Sequence, residues 1–159
     1  MSSVVQEEVL QEQLRKQYII FQIGTEEYGI LIKAVKEIIK PTKITHVPNT
    51  KEHILGVINL RGQIVPVVDL RKRIDIKTNK GEEDNTRIIT VDVRNTLIGL
   101  LVDDVNEVVW LNDDNIGPAP EVAGGIKQEF LDGVGKIEDR LLILINLDKL
   151  LFIKDEINK

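Results

Sequence analysis

The sequence predicts a mainly β fold built from one structural unit used twice. When the chain is aligned with itself at a shift of 70 residues, segment 29–39 matches segment 99–109, and Gly, Leu, Val and Glu recur at the same places. A second alignment, at a shift of 77 residues, places 56–70 on 133–147. Aromatic residues make up only 4% of the chain, whereas Ile, Val and Leu are abundant. The core must therefore be aliphatic, which suits β-structure.

The first half reads as a series of short strands separated by turns. The predicted elements are a hairpin of 18–23 and 28–32, a short helix or extended bend at 34–39, a short strand at 44–47, and strands at 57–60 and 64–68. Gly62 permits the positive φ that a tight hairpin turn needs, so Arg61 is expected at an exposed tip. Because Pro66 cannot donate a ladder hydrogen bond, its strand is predicted to lie at a sheet edge or to be bulged.

The second half repeats this plan. Its predicted strands are 87–93, 97–102, 105–111 and 141–145. Asn146 is expected to cap a closing helix from Leu147 to Ile157, with Asp148 at its favourable N-terminal end. The polar run 77–85 is the best candidate for a linker between the halves, and residues 1–16 are expected to form a polar, mobile arm.

Composition excludes several classes of protein. The absence of cysteine removes disulfides and thiolate chemistry, and no segment combines a basic region with an apolar run as a signal peptide does. The longest apolar run, 141–145, is too short to span a bilayer. A formal net charge of −5 with no clustered basic face disfavours nucleic acid. We therefore expect a cytoplasmic protein without nucleic-acid or direct membrane contacts.

The residues that would support catalysis are largely missing. The only serines, Ser2 and Ser3, lie in the predicted arm, so a Ser-His-Asp mechanism is effectively excluded. His46 and His53 are not spaced as a metal-binding pair, and no phosphate-binding loop occurs. The adjacent carboxylates 103–104 and 113–114 are interpreted as solvated turn charges, because neighbours on a strand point to opposite faces. The sequence thus predicts neither an enzyme nor a bound metal or cofactor.

One stretch is not explained by structure alone. Residues 56–71, GVINLRGQIVPVVDLR, resemble the signature of the CheW family, the coupling proteins of bacterial chemotaxis. Further matches to this family occur, in order, at 26–30, 35–38, 118–121 and 142–151, so the resemblance covers about residues 17–152.

The resemblance implies a fold and a function. The expected fold is two SH3-like five-stranded β-barrels sharing a core, about 17–84 and 85–146, followed by a C-terminal helix and tail at 147–159. The sequence leaves open whether strands are exchanged between the barrels. The implied function is that of an adaptor that bridges the cytoplasmic tips of methyl-accepting chemoreceptors to the regulatory domain of the histidine kinase CheA. The protein would be recruited to receptor arrays at the inner face of the membrane.

The family pattern also assigns candidate binding residues. Those matching the receptor-binding positions are Val35, Glu37, Gly56, Arg61, Val105 and Val108. The candidates for kinase binding are Ile44 and Leu55 at the exposed end of the first barrel and Val122 in the loop 118–122.

Two other readings come from different classes of protein. Small barrels of the OB type bind nucleic acid or oligosaccharide, but they use aromatic stacking platforms, which this acidic and aromatic-poor chain lacks. A small hydrolase using Asp or Glu is less favoured still.

Overall fold

The computed structural model describes residues 15–48, 54–73 and 85–152. Two short α-helices are described, α1 (Leu70–Arg73) and α2 (Leu147–Leu151), together with single 3-10 turns at Ile32–Ala34, Asp113–Asn115 and Gln128–Phe130. The strands are β1 (Lys16–Ile23), β2 (Glu26–Leu31), β3 (Val35–Ile39), β4 (Ile54–Leu60), β5 (Gln63–Asp69), β6 (Arg87–Val93), β7 (Thr96–Val102), β8 (Asp104–Leu111), β9 (Ile116–Gly117), β10 (Val122–Ala123), β11 (Ile126–Lys127), β12 (Leu131–Ile137) and β13 (Arg140–Ile145).

The strands form two main sheets and a small ribbon. One sheet has the order β8-β1-β2-β13-β12-β9, the other has the order β3-β6-β7-β5-β4, and β10 pairs with β11 alone. Each main sheet joins two antiparallel hairpins through one parallel pair, β2 with β13 and β5 with β7. The two sheets therefore have the same plan, as the internal repeat predicts.

A bent segment closes each sheet into a barrel. After β3, the chain turns and Thr45 exchanges backbone hydrogen bonds with Val57 of β4, at 2.8 and 2.9 Å. After β8, the chain turns in the same way and β9 pairs with β12. Each bent segment thus joins the two opposite edges of its sheet. The prediction of a mainly β fold with two SH3-like barrels is confirmed.

The barrels do not follow the consecutive division of the chain at 84–85. The hairpin β1–β2 belongs to the sheet that contains β12 and β13, and the hairpin β6–β7 belongs to the sheet that contains β4 and β5. Each barrel consequently takes one hairpin from the other half of the sequence. The alignment of the repeats could not reveal this exchange, because equivalent hairpins carry the same pattern of apolar residues in either arrangement.

The exchange produces one shared core and two smaller ones. The largest buried cluster contains residues of both sheets, among them Phe21 and Ile143 of one sheet and Val91 and Leu100 of the other. A second cluster, which includes Ile20 and Leu142, fills the barrel of the six-stranded sheet. A third, which includes Ile58 and Val67, fills the barrel of the five-stranded sheet. We call the barrel of the five-stranded sheet the first barrel and that of the six-stranded sheet the second barrel. The sequence-based expectation of a shared aliphatic core agrees with this packing.

Pseudo-equivalent glycines mark the places where backbones approach closely. Gly29 pairs with Leu144 across one parallel contact, and Gly99 pairs with Val67 across the other. Gly56 and Gly133 have φ of 150° and 146°, and each lies beside a register shift of its hairpin. In each barrel, one glycine thus allows the close approach at the parallel contact between hairpins, and a second allows the register shift within a hairpin.

Pro66 lies inside a sheet, so the prediction of an edge or a bulge at this residue is wrong. Its strand β5 has β7 on one side and β4 on the other. Opposite Pro66 is Val57, whose backbone N–H and C=O are both bonded to Thr45 on the far side. The parallel pairing with β7 starts only at Val67. Neither neighbouring strand therefore requires the hydrogen bond that proline cannot donate.

The ends of the described chain differ in part from expectation. Asn146 caps α2 as predicted, accepting a hydrogen bond from the backbone of Lys149 at 3.0 Å, but the helix ends at Leu151. Lys16, assigned to the arm, lies in β1 opposite Leu111. Residues 1–14, most of the expected linker and 153–159 lie outside the described residues.

Replacing Gly56 by alanine is expected to lower the free energy of unfolding by about 3 kcal/mol or more. An added Cβ would lie 2.1 Å from the carbonyl oxygen of Thr45, and the φ of 150° is strained for any L side chain. Urea unfolding measures the change. The matched control is Gly117→Ala, whose Cβ would meet nothing within 4 Å and should change stability by less than about 0.5 kcal/mol. Equal effects of the two substitutions would contradict the packing described here.

Candidate functional site

Arg61 stands at the tip of the β4–β5 hairpin. It has φ of 51°, followed by Gly62 at 88°, so both central residues of the turn have positive φ. The side chain of Asn59 accepts a hydrogen bond from the Gly62 backbone at 2.8 Å and fixes the turn. The Arg61 side chain is 71% exposed and forms an ion pair with Glu37 of β3. The predicted exposed position of Arg61 is confirmed.

The backbone of Glu37 is fixed by hydrogen bonds to a buried threonine. The hydroxyl of Thr90, fully buried in β6, accepts a hydrogen bond from the Glu37 backbone N–H at 3.1 Å and donates one to the Glu37 carbonyl at 3.2 Å. The hydrogen bond that Arg61 donates to Glu37 raises the pKa of the Arg61 guanidinium. A cleft of about 450 Å³ lies beside this ion pair. The hydrogen bonds of Thr90 and Asn59 hold the backbone of both partners, so the ion pair stands on a fixed backbone.

Val35 opens β3 and packs against the shared core. The strand has a register shift between Val35 and Glu37, so Lys36 is the extra residue and Ile38 returns to the face of Val35. Ile38 lies opposite Ile89 of the shared core but is 41% exposed. One face of this edge strand is therefore apolar along its length, with Val35 packed against the core and Ile38 partly exposed to solvent.

Strand β8 repeats this arrangement at the edge of the other sheet. Val105 lies opposite Phe21 and packs against the shared core, Asn106 is the extra residue at the register shift, and Val108 lies opposite Ile19. Val108 is 46% exposed. The pairs Val35 with Val105 and Ile38 with Val108 are equivalent under the repeat of 70 residues, so the family-derived candidates on β3 and β8 flank the same shared core.

Gly56 differs from the other receptor candidates because it is buried. Its backbone approaches Thr45 so closely that a side chain has no room. The structure therefore gives Gly56 a role in closing the first barrel, while Arg61 and Glu37 are brought together at the surface.

The second barrel has a related charge arrangement in a different place. Glu107 is equivalent to Glu37, but its partner is Arg140, which follows the β12–β13 turn. Arg140 also binds both carboxylate oxygens of Glu27, at 2.6 and 3.2 Å. Hydrogen bonding by Arg140 lowers the pKa of Glu27, and hydrogen bonding to Glu27 is the main reason that the pKa of Arg140 is raised. The Arg140 side chain is half as exposed as that of Arg61, and its ion pairs join strands β13, β2 and β8 of the same barrel.

Two of the kinase candidates lie together in the first barrel. Ile44 and Leu55 are half-buried and both pack against the small core that includes Ile58. They lie next to the closing contact between Thr45 and β4. Ile44 and Leu55, which come from separate segments of the chain, therefore lie beside the same barrel-closing contact.

Val122 belongs to a different element, the ribbon β10–β11. It is 59% exposed. The loop that carries it is anchored by a hydrogen bond of 2.7 Å from the buried Tyr28 hydroxyl to the Gly124 carbonyl. A second bond of 2.7 Å joins the Gln128 backbone N–H to the Glu121 carbonyl. Burial, with a smaller effect of Glu26, raises the pKa of Tyr28, so it remains a donor. Val122 is thus presented on a fixed loop.

Some residues of these surfaces were missed by reasoning from the sequence. Ile38 could have been found from its alignment with Val108 in the repeat. The interpretation of Asp103 as a solvated turn charge is wrong, because its carboxylate accepts hydrogen bonds from the Gly24 backbone at 2.8 Å and from Arg71 at 3.4 Å. These contacts join segments far apart in sequence, which local patterns do not reveal.

Metal-binding and membrane features were also sought. In residues 15–48, 54–73 and 85–152, no cluster of three or more His, Asp or Glu side chains is arranged to hold a metal ion. No helix in the described part of the chain has the length and apolarity needed to cross a bilayer.

Two SH3-like barrels that exchange hairpins and share one core define the class of fold to which the chain belongs. A family model, the CheW-like domain, matches residues 17–153, so the chain belongs to the CheW-like family. It is 39% identical to the chemotaxis protein CheW of Klebsiella aerogenes, over 88% of this chain and 84% of that protein. It is 38% identical to the chemotaxis protein CheW of Bacillus subtilis, over 84% and 85%.

A solved structure is similar along most of its length. The crystal structure of the scaffolding protein TtCheW from Thermoanaerobacter tengcongensis superposes with a TM-score of 0.80 and 39% identity, covering 87% of this chain and 89% of that one. The resemblance found in the sequence is therefore confirmed at the level of family and fold.

Glu27→Gln is expected to reduce stability by about 0.5–1 kcal/mol at pH 7, because it removes one charge from a partly exposed ion pair. The folded-state pKa of Glu27 lies below the ordinary value of 4.5, so its stabilisation is complete above that pH and is lost as the pH falls through the folded value. Urea unfolding at several pH values should show the stabilities of the two proteins converging as the pH falls from 4.5 through the lowered folded-state pKa of Glu27. In an Arg140→Gln background the same substitution should have a much smaller pH-dependent effect, because only the hydrogen bond from Asn106 then stabilises the Glu27 carboxylate.

Tyr28→Phe is expected to cost about 1 kcal/mol, because it leaves the Gly124 carbonyl without its donor. Amide exchange in the loop 118–128 should accelerate more than exchange in the β-sheets. Tyr18→Phe is the matched control, since the Tyr18 hydroxyl makes no hydrogen bond to a described residue. Faster exchange spread evenly over the molecule would argue against a local anchor.

Proposed function

We propose that this protein is a non-enzymatic adaptor that couples methyl-accepting chemoreceptors to the histidine kinase CheA. The observation that carries the proposal is the exposed Arg61–Glu37 pair on a fixed turn, together with the partly exposed valines of β3 and β8 around the shared core. Membership of a family whose relatives are named as chemotaxis and scaffolding proteins supports it. The protein would act in the cytoplasm, at arrays on the inner face of the membrane.

The proposed receptor surface combines an apolar and a charged part. Val35, Val105 and Val108 offer apolar contacts beside the shared core, and Arg61 offers a directed donor whose partner Glu37 is already present. A helical receptor tip with an apolar row and a carboxylate would satisfy both parts. Since Arg61 is highly exposed, it can exchange Glu37 for a carboxylate of the partner without unfolding the turn.

The proposed kinase surfaces lie on different barrels. Ile44 and Leu55 belong to the closing junction of the first barrel, while Val122 belongs to the loop of the second. Two unlike surfaces on one molecule form heterologous contacts, which generate rings or extended lattices with a partner of the same fold. The regulatory domain of CheA is the partner that we propose for both.

The proposal is tested by co-sedimentation of the full chain with CheA and with membranes that carry receptors. The expected result is joint sedimentation that depends on the presence of receptors. Filter binding with oligonucleotides tests the alternative of a nucleic-acid module, and binding there without binding to receptor or kinase would overturn the proposal.

Arg61→Glu is expected to weaken binding of a receptor-tip fragment by at least about tenfold, because it places a carboxylate where a donor is needed. Binding of the isolated kinase regulatory domain should stay unchanged. Calorimetric titration measures both affinities. Arg94→Glu, at the exposed β6–β7 turn, is the matched control, because Arg94 also has a positive φ and also loses an ion pair, in its case with Asp148. Loss of kinase binding only would show that the two surfaces are wrongly assigned.

Val122→Asp is expected to leave the one-to-one complex with the kinase domain intact and to impair the assembly of large arrays. The substitution puts a charge at an exposed apolar contact without touching the core. Titration and electron microscopy of reconstituted arrays measure the two outcomes. Arrays of normal extent would count against a role of this loop in assembly.

A further inference from the structure

Trp110, the only tryptophan of the chain, lies near the outer end of β8. It is opposite Gln17 of β1, whereas Val108 is opposite Ile19 and Val105 is opposite Phe21. These β1 residues alternate along one face of the strand, so Val105, Val108 and Trp110 share a face of β8. Trp110 therefore continues the apolar row of the proposed receptor surface toward the edge of the barrel.

The indole is exposed even though it is large and apolar. Its exposed fraction is 52%, and one side of the ring is covered by the guanidinium of Arg15, 5.2 Å from the ring centre. Tryptophan is enriched at protein interfaces, where its large area becomes buried. A half-exposed tryptophan on the same strand face as two proposed contact residues is thus in a position to bind.

Basic side chains lie beside the cross-strand partner of Trp110, although the chain as a whole is acidic and Lys33 also lines a second cleft with Asp92 and Asp132. Arg15, Lys16 and Lys33 line a shallow cleft of about 260 Å³ together with Gln17, the cross-strand partner of Trp110. The half-buried Ile32 adds an apolar wall to this cleft. A local basic cluster in a protein of net charge −5 favours a partner segment with carboxylates next to its apolar side chains.

We infer that Trp110 and the basic cluster Arg15, Lys16 and Lys33 extend the receptor-binding surface and take an amphipathic helix with acidic side chains beside its apolar row. The inference rests on the proposed function and specifies the chemistry of its partner. Val108 and Trp110 are two residues apart on a strand, about 6.6 Å. Residues four apart on a helix rise by about 6 Å, so a helix lying along β8 presents successive apolar residues to both.

The single tryptophan makes the inference directly measurable in the full chain. Calorimetry first records binding of a receptor-tip fragment that lacks tryptophan. In the same titration, Trp110 emission should shift to shorter wavelength and acrylamide quenching should fall by about half or more, because the ring leaves water. The isolated kinase regulatory domain, similarly without tryptophan, serves as the control and should leave both signals unchanged.

Substitutions test the energetic contribution. Trp110→Thr keeps a good strand former and is expected to weaken receptor-fragment binding by about tenfold, while Trp110→Phe should restore most of it. Lys33→Glu should also weaken binding by about threefold, with less effect at high salt. Circular dichroism and melting temperature confirm that the variants remain folded. Kinase-domain binding should be unaffected in all three.

The possible failures are distinguishable. Normal calorimetric binding with unchanged Trp110 emission and quenching would overturn this inference and leave the proposed function standing. No binding of the receptor fragment at all would overturn both. Strong protection of Trp110 from acrylamide in the free protein would mean that another segment of the chain already covers it, and would also overturn the inference.

Discussion

The parallel contacts of β2 with β13 and of β5 with β7 are the constraint on which the rest of the structure depends. Each contact joins a hairpin of one half of the sequence to a hairpin of the other half. Gly29 and Gly99 sit at these contacts, where an added Cβ would come within about 3 Å of neighbouring side chains. Neither half can complete a barrel alone. The two barrels are therefore one cooperative unit with a shared core, and not two domains connected by a linker.

This constraint also determines where binding residues can lie. The bent segments that close the barrels leave β3 and β8 at sheet edges, where the apolar face that begins in the core continues into solvent. The register shift in each strand sends one residue outward and brings Ile38 and Val108 back to that face. Edge strands with bulges and nearby charges avoid uncontrolled pairing with other sheets. The same features make them suitable for a partner that offers a helix.

The sequence predicted those features that local patterns encode. The repeat predicted most of the strands, the hairpin turns and the aliphatic core, and Gly62 predicted that Arg61 lies at a tip, whereas β3 was expected as a short helix or bend. The family pattern supplied the candidate contacts, and the structure brings Arg61 to Glu37 and places Val35 and Val105 at equivalent points. Partnerships between distant segments could not be predicted, because no local rule specifies them. The exchange of hairpins, the bonding of Asp103 to Gly24 and the interior position of Pro66 are of this kind.

The two signature turns show how a duplicated unit diverges. Arg61 and Glu138 occupy the same place with φ of 51° and 53°, so both turns accept the left-handed geometry without glycine there. In the second barrel the arginine has moved to the other side of the turn, where Arg140 binds two carboxylates and closes the barrel end. Arg140 of the second barrel therefore has a structural role, whereas Arg61 of the first barrel remains exposed at the surface.

The exchange of hairpins has a consequence for how the chain folds as it is made. Glu27 and Arg140, which meet in the native barrel, are 113 residues apart in sequence. Synthesis exposes β1 and β2, with Ile19, Ile20 and Phe21, long before β13 is available to cover them. Contacts of such long sequence separation slow folding and leave apolar strands open to aggregation in the meantime. The apolar strand β2 of the first hairpin therefore lacks its native neighbour until β13 has emerged.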